Sequence, residues 1–583
     1  MGHRRFFDEQ PLKYDPFILR RLLSYTRPYR KALFISLLLV ILETAIHLSQ
    51  PYVLKIAIDD YILGPGSLQG LQRLGIAFLL IYLSGMILHY LQFNILMRTG
   101  QRIMNDIRKD IFAHLQKLSI PFFNRNRTGH LVTRVTNDIE TLNEMYTSFL
   151  VNFIKDIFML AGIVVILLRL HATMALLTFS AVPAVIVIIA VYRRHARQAF
   201  REMRTQLARI NSFLSQNIAG IRIVQAFLQE RKRSGMFNDI NEAHYRAGMK
   251  EIQTFAVFRP AMDLLRSLVL ALLLWYGSGA VLEGVIPFGL FYAFINYLQY
   301  FFRPLNDLSD KYSILESAMA SAERIFKLMD EKVEITDPPS PKALHSVRGD
   351  IHFHNVWFAY ENEKWVLRDI NFYARAGEKI AVVGPTGAGK SSFINLINRF
   401  YDAQKGAVAI DGINVKELAL KELRRRVGVI HQDVFLFNGS IRENITLNAL
   451  SLSPAQLERV AREANAYEFI EQLPQKFDTP VGERGVTLST GQRQLLAFAR
   501  ILAFDPAIFI FDEATAHIDS HTESLLQKTL QHVTRGRTSI IIAHRLSTVR
   551  KAERIFLMQR GRLTEMESFE RLAANLERYF KAV

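Results

Sequence analysis

Six stretches before residue 310 stay apolar for about as long as a helix needs to cross a bilayer. A hydrocarbon core takes about 20 residues of helix, and within it every backbone N–H and C=O must find its partner in the protein. The spans fall near 32–58, 71–95, 146–168, 172–192, 260–282 and 286–306, and Thr173 to Val191 is almost purely apolar. Long polar stretches separate the second span from the third and the fourth from the fifth. They keep apolar residues at helical spacing, as in Ile103, Ile107, Ile111 and Leu115. This reads as membrane helices continuing into the cytoplasm; two small separate cytoplasmic domains are the alternative.

The formal net charge of +18 suits either nucleic-acid binding or a membrane protein with basic cytoplasmic loops. Its placement decides. Basic residues cluster at span ends: Arg20, Arg21, Arg27, Arg30 and Lys31, then Arg98, Arg102, Arg108 and Lys109, then Arg193, Arg194, Arg197, Arg201 and Arg204. The short loops Gly64–Gly70 and Glu283–Pro287 carry no Lys or Arg. That alternation puts both termini and the long loops in the cytoplasm, and a nucleic-acid partner is not expected. With no cysteine, disulfides and thiolate metal sites are excluded. Met1 to Tyr29 is polar and basic, so no cleavable signal is expected.

The proline-dense Asp337-Pro-Pro-Ser-Pro341 breaks any helix arriving from Asp307–Met329. Short β-rich runs alternating with helices follow, which suits a mainly parallel sheet covered by helices. Directly after the apolar Lys379-Ile-Ala-Val-Val come Gly384, Pro385, Thr386, Gly387, Ala388, Gly389, Lys390 and Ser391, followed by Ser392. Such a loop turns backbone N–H groups onto a phosphate, while Lys390 reaches the β- and γ-phosphates and Ser391 offers a hydroxyl to Mg²⁺. Mg²⁺ also needs a carboxylate, and Ile508-Phe-Ile-Phe-Asp512-Glu513 supplies one. Asp512 ends a buried strand on the metal side, and Glu513 is placed to polarise water; an ordinary strand ending in an acidic turn is the alternative. Helical sequence between them, at Leu452–Leu473 and Gln492–Leu502, reads as an inserted helical subdomain. Leu488-Ser489-Thr490-Gly491-Gln492 opens the latter helix, as a phosphate-binding helix end or as a plain N-cap.

Together these motifs resemble an ABC exporter half-transporter over residues 20 to 583. The resemblance implies an all-α six-helix transmembrane domain followed by an α/β P-loop NTPase domain with an inserted helical subdomain. The boundaries are a cytoplasmic segment at 1–31, the transmembrane domain at 32–330, a linker at 331–349 and the ATP-binding domain at 350–583. It further implies that Tyr360 stacks on adenine, Gln432 touches Mg²⁺ and senses the membrane domain, Asp519 lies in a loop crossing to the opposite ATPase domain, and His544 holds the γ-phosphate. Taken singly, Tyr360 would be an exposed strand tyrosine, Gln432 a polar loop residue and His544 a structural histidine. Thr479–Gly485 resembles a segment of exporters rather than importers. Coupling helices are expected near Phe122–Arg134 and Gln216–Phe227.

The implied mechanism needs ATP, Mg²⁺ and a second half-transporter. Each ATP lies between the phosphate loop of one ATPase domain and the Leu-Ser-x-Gly-Gln segment of the other, and closure turns an inward-open cavity outward. Thr490 replaces the family's usual glycine there while Ser489 and Gly491 are kept. This resembles one chain of a bacterial heterodimeric exporter; a homodimer tolerating the change is the alternative. The expected cargo is a small amphipathic compound reached through membrane lipid. Glu43 and His47, four apart in the first span, read as a cation-attracting point in the pathway or as a Glu–His packing pair. Asp263 and Arg266 read as a pathway charge or as a mutual ion pair. A lipid flippase, a peptide exporter and an ATP-gated channel share this architecture; a soluble ATPase acting on nucleic acid does not.

Overall fold

The computed structural model describes residues 16–344, 347–361, 363–482, 485–512, 520–543 and 546–570. They divide into two compact units. Met1–Gln116 with Thr128–Glu331 forms one, and Lys117–Arg127 with Lys332–Val583 the other.

The described residues of the first unit are helical. Pro16–Tyr25 precedes Arg30–Ile56, which runs on through a wider turn at Ala57–Ile62. Then come Leu68–Leu115, a series from Thr128 to Leu170, Ala172–Phe179, Val182–Ala219, Ile221–Ala226, Glu230–Leu282 and Phe288–Met329. Within the fourth expected span the helical hydrogen bonding is interrupted at Ser180 and Ala181, whose backbones stay helical, and Pro183 lies in the first turn of the segment that follows. Proline lacks an N–H and is accommodated where that donor has no helical partner anyway. The third span arrives through short helices at Thr128–Val135 and Asn137–Glu144 and a wider turn at Met145–Phe149.

Among the described residues, five helices are long and apolar enough to cross a membrane. The sixth, Phe288–Met329, is long enough, but Asn296, Gln299, Arg303 and several tyrosines dilute its apolar run. Several of its aromatic residues point inward: Phe294, Tyr297 and Phe302 are fully buried rather than turned to lipid. Tyr297 donates its hydroxyl to the Leu48 carbonyl at 2.6 Å, satisfying a polar atom that hydrocarbon would leave bare. Asp59 Oδ1 accepts from the Gly289 N–H at 2.5 Å and so caps the sixth helix. In the polar extensions of the helices, Asp138 accepts from Arg134 at 2.8 Å and also pairs with Arg324.

The second unit holds twelve strands among its described residues, labelled here in chain order. They are β1 (Ile351–Ala359), β2 (Trp365–Ala374), β3 (Lys379–Val383), β4 (Lys405–Ile410), β5 (Ile413–Asn414), β6 (Val427–Ile430), β7 (Gly439–Ser440), β8 (Pro480–Val481), β9 (Ile508–Asp512), β10 (Thr538–Ile542), β11 (Arg554–Gln559) and β12 (Arg562–Met566). One sheet has the order β12-β11-β3-β10-β9-β6, parallel except at β12. A separate antiparallel sheet has the order β2-β1-β4-β5, and β7 pairs with β8. Successive residues of the parallel strands face opposite ways. Ile380, Val382, Ile508, Ile510, Ile540 and Ile542 join the core shared with the antiparallel sheet. Ala381, Val383, Phe509, Phe511 and Ile541 join the core beneath the helical insertion.

The insertion comprises Ile441–Thr446, Pro454–Glu463, Tyr467–Glu471 and Thr490–Phe504. The helix expected over Leu452–Leu473 is split at Asn465, whose backbone is left-handed (φ +53°). Its Nδ2 donates to Thr529 Oγ1 at 2.8 Å.

Lys390–Ile397 follows the phosphate loop, and its Phe393 stacks on Phe353 at 4.5 Å and meets Phe372 edge-on at 5.1 Å. Phe393→Ala is expected to destabilise the second unit by about 3–5 kcal/mol through a cavity between helix and antiparallel sheet. Thermal unfolding in detergent will read this as a lowered midpoint, with Phe393→Leu losing less.

Candidate functional site

The parallel registers gather the motifs at one edge. Ile542 of β10 sits between Val382 of β3 and Asp512 of β9, and Ile430 of β6 sits beside Phe511. The chain leaving β3 enters the glycine loop, β9 ends on Asp512, and Gln432 follows β6 by two residues. Loops beyond the carboxyl ends of parallel strands are where open α/β sheets hold ligands.

The loop is a cradle that side chains would fill. Gly384 has φ +156°, and a Cβ there would lie 2.2 Å from the Met558 carbonyl oxygen of β11. Gly389 has φ +112° and leaves only 2.8 Å between a Cβ and Leu367 Cδ2. Lys390 is buried, and its Nζ donates to Gly384 O at 2.7 Å and Pro385 O at 2.9 Å, holding the ammonium over the loop. Burial lowers its pKa, and the negative charge of Asp512 opposes that shift. Pro385 is half-buried and Ala388 buried, while Thr386, Gly387 and Ser391 are exposed. Ser391 and the exposed Gln432 bring oxygens and Asp512 a carboxylate, the hard donor set that Mg²⁺ prefers.

Ser392 faces elsewhere. Its Oγ shares a hydrogen bond with the Tyr360 hydroxyl at 2.8 Å, tying the helix after the loop to the expected adenine aromatic. Tyr360 is nearly half exposed and its ring is held edge-on by Phe358 and Tyr401 at 4.8 and 5.0 Å.

Ser489 caps the helix Thr490–Phe504 and forms a capping box. Its Oγ accepts from Gln492 N at 3.2 Å, and Gln492 Oε1 accepts from Ser489 N at 2.9 Å. Gly491 is needed for packing, since a Cβ would come within 2.1 Å of Thr522 Cγ2 on the neighbouring helix. The Thr490 side chain is exposed and its Oγ1 accepts from Arg493 Nη2 at 3.0 Å. Glu513, Asp519 and His544 lie outside the described residues, as do Glu483 and Arg484 of the Thr479–Gly485 segment.

A second cluster lies among the membrane helices. Glu43 is buried, and its Oε1 accepts from Lys155 Nζ at 2.6 Å and meets His89 Nδ1 at 3.1 Å, while His47 Nε2 stands at 3.7 Å. The ion pair across helices is thus closer than the Glu–His pair read from sequence spacing. Its signal was present in the sequence, as a lysine and a histidine inside apolar spans. Asp263 and Arg266 pair with each other at 3.3 Å. Among the described residues, no group of three or more His, Cys, Asp or Glu side chains has the arrangement to hold a metal ion.

Residues 33–305 match the family described as ABC transporter transmembrane region, and residues 367–516 match the family described as ABC transporter. The chain is similar to a probable multidrug resistance ABC transporter ATP-binding/permease protein of Bacillus subtilis, 37% identical over 84% of this chain and 73% of that one. It is similar to an ATP-dependent lipid A-core flippase of Desulfotalea psychrophila, 33% identical over 95% and 97% of the two chains. A solved bacterial Atm1-family ABC exporter with ATP bound superposes with TM-score 0.77 at 29% identity, covering 96% of this chain and 97% of the other.

Because Gly384 abuts a backbone carbonyl rather than a flexible side chain, Gly384→Ala must displace the loop from β11. Equilibrium binding of ATP is expected to weaken at least about tenfold, with the protein still folded by its thermal unfolding profile.

Proposed function

The chain belongs to the ABC transporter family as a multi-pass membrane exporter with an ATP-binding domain, and we propose that it exports hydrophobic or amphipathic compounds as half of a heterodimer. ATP-driven export is the family's activity; cargo, partner and the roles of single residues are the proposal. One observation carries the reading: a glycine cradle with Lys390 and the acid-ended strand of Asp512 share one sheet edge, in a chain whose other unit is built of membrane-crossing helices.

In this reading Lys390 and the loop N–H groups hold the phosphates of ATP, and Ser391, Gln432 and Asp512 hold Mg²⁺. Bound there, Mg²⁺ neutralises charge building on the transferred phosphate. Glu513 takes the proton of the attacking water, His544 holds the γ-phosphate and Tyr360 stacks on adenine. Ser489, Gly491, Gln492 and Asp519 serve across the interface with a second ATPase domain. The capping box matters to that role. It fixes the first turn of the Thr490–Phe504 helix, whose positive end then meets an anion without reorganising.

The heterodimer rests on Thr490. An exposed threonine at the tip of that helix adds bulk where the family's usual glycine adds none, weakening the site it presents to the partner while this chain's own site stays intact. The domains keep the boundaries read from sequence, and the ATPase domain and both termini lie on the cytoplasmic side of the cell membrane. For cargo, the relatives include a multidrug transporter and a lipid A-core flippase, so amphipathic molecules entering from the inner leaflet fit best.

ATPase activity in lipid vesicles tests this, with the chain alone and with a partner half-transporter. Turnover is expected only with the partner, and Glu513→Gln is expected to lower it at least about hundredfold while ATP still binds. Equal turnover by the chain alone would make it a homodimer and Thr490 a neutral change.

A further inference from the structure

The helix Ile120–Arg125 is joined by chain to membrane helices on both sides, yet it belongs to the compact unit that holds the nucleotide site. Asn124 projects from it, and its Nδ2 donates to the Tyr401 hydroxyl at 2.8 Å. Tyr401 is buried, and its ring meets Tyr360 at 5.0 Å and 86° and Phe358 at 5.4 Å and 70°. The Tyr360 hydroxyl in turn bonds Ser392 Oγ at 2.8 Å, in the first turn after the phosphate loop. Arg125 and Ser119 both reach Glu334, at 2.8 and 3.5 Å, so the short helix is pinned on either side of Asn124.

We propose that Asn124 is a positioning residue for the adenine side of the ATP site, acting through Tyr401 on the ring of Tyr360. This rests on the reading of Tyr360 as the aromatic that stacks on adenine. Stacking on a purine depends on the plane of the ring. Two rings and a hydroxyl bond brace the half-exposed Tyr360 ring in its plane. Of these, Tyr401 is the one whose hydroxyl is held by a residue outside the ATPase sequence. Displacing the helix Ile120–Arg125 therefore turns Tyr401, and Tyr401 turns the base-stacking ring. The linkage is reciprocal: base binding that fixes Tyr360 also fixes the Tyr401 ring and its bond to Asn124.

The test is the KM for ATP of the full-length transporter assembled in lipid, alongside its thermal unfolding midpoint. Asn124→Ala and Tyr401→Phe are each expected to raise KM about threefold, with a smaller change in kcat. Asn124→Asp, whose carboxylate can accept the Tyr401 O–H, is expected to restore KM. Tyr360→Ala raises KM by itself, and adding Asn124→Ala to it is expected to change KM no further. If Tyr360→Ala raises KM while Asn124→Ala leaves it unchanged, the relay through Asn124 is overturned and the adenine reading stands. The same threefold increment in both backgrounds also overturns the relay, since Asn124 would then act without Tyr360. An unchanged KM in Tyr360→Ala overturns the adenine reading and the relay together.

Discussion

A peptide group left unpaired in hydrocarbon costs several kcal/mol, and the whole first unit follows from avoiding that cost. Helices meet that constraint within a single segment, and here they do not end where the bilayer ends. Leu68–Leu115, Glu230–Leu282 and Phe288–Met329 run for 48, 53 and 42 residues. At about 1.5 Å per residue each is far longer than a hydrocarbon core is thick. The excess is a rod in water, with a backbone already paired and a surface free to change from leucine to charge. Asp138 with Arg134 and Arg324 uses that surface, joining helices through ion pairs that hydrocarbon would penalise.

In the second unit the corresponding constraint is the close approach of one backbone to another. It forces glycine where the loop leaves β3, and the structure shows why at Gly384: β11 already occupies the space a Cβ would take. This is why the phosphate loop and Asp512 were legible from sequence. Both need particular residue types at fixed distances from a buried strand, and strands buried on two faces read as unbroken apolar runs. The family resemblance added Tyr360, Gln432 and His544, which spacing alone would have left as ordinary residues. The Leu-Ser-x-Gly-Gln segment was legible twice over, since Ser489 and Gln492 cap their own helix whatever else they do.

What sequence concealed was pairing across distance. The short β-rich runs were read as one mainly parallel sheet, and only the register of β1 with β2 and β4 reveals a second, antiparallel sheet. The fourth span holds as one membrane-length helical stretch, Ala172–Ala219, but its hydrogen-bond ladder is interrupted at Ser180–Ala181, which hydropathy misses because it ignores a proline's missing donor. Asn124 lies in the segment expected as a coupling helix, but its partner Tyr401, 277 positions away, lies in no motif. Helical spacing found His47 beside Glu43, whereas Lys155, the nearer partner, comes from another helix and obeys no spacing rule.

That last pairing changes what the membrane unit asks of its cargo. Glu43 is joined to Lys155, Asp156 to Lys311 and Asp263 to Arg266, so each of these carboxylates already holds a cation of the protein's own. A cationic drug approaching Glu43 must displace an ammonium at 2.6 Å, and would leave Lys155 unpaired in a low-dielectric site. The exchange gains little, because one ion pair replaces another. The side of the cluster that remains open is formed by His47 and His89, whose side chains are 39% and 59% exposed while that of Glu43 is 2% exposed. Attraction of cations by a bare intramembrane charge is therefore a poor basis for selection at Glu43. A binding site lined by apolar and aromatic groups asks for no such exchange: it gains from every apolar area the cargo brings and leaves the internal ion pairs intact. Selection by shape and apolar surface is what the proposed amphipathic cargo calls for, and the paired charges are consistent with it because they leave no bare charge to select by.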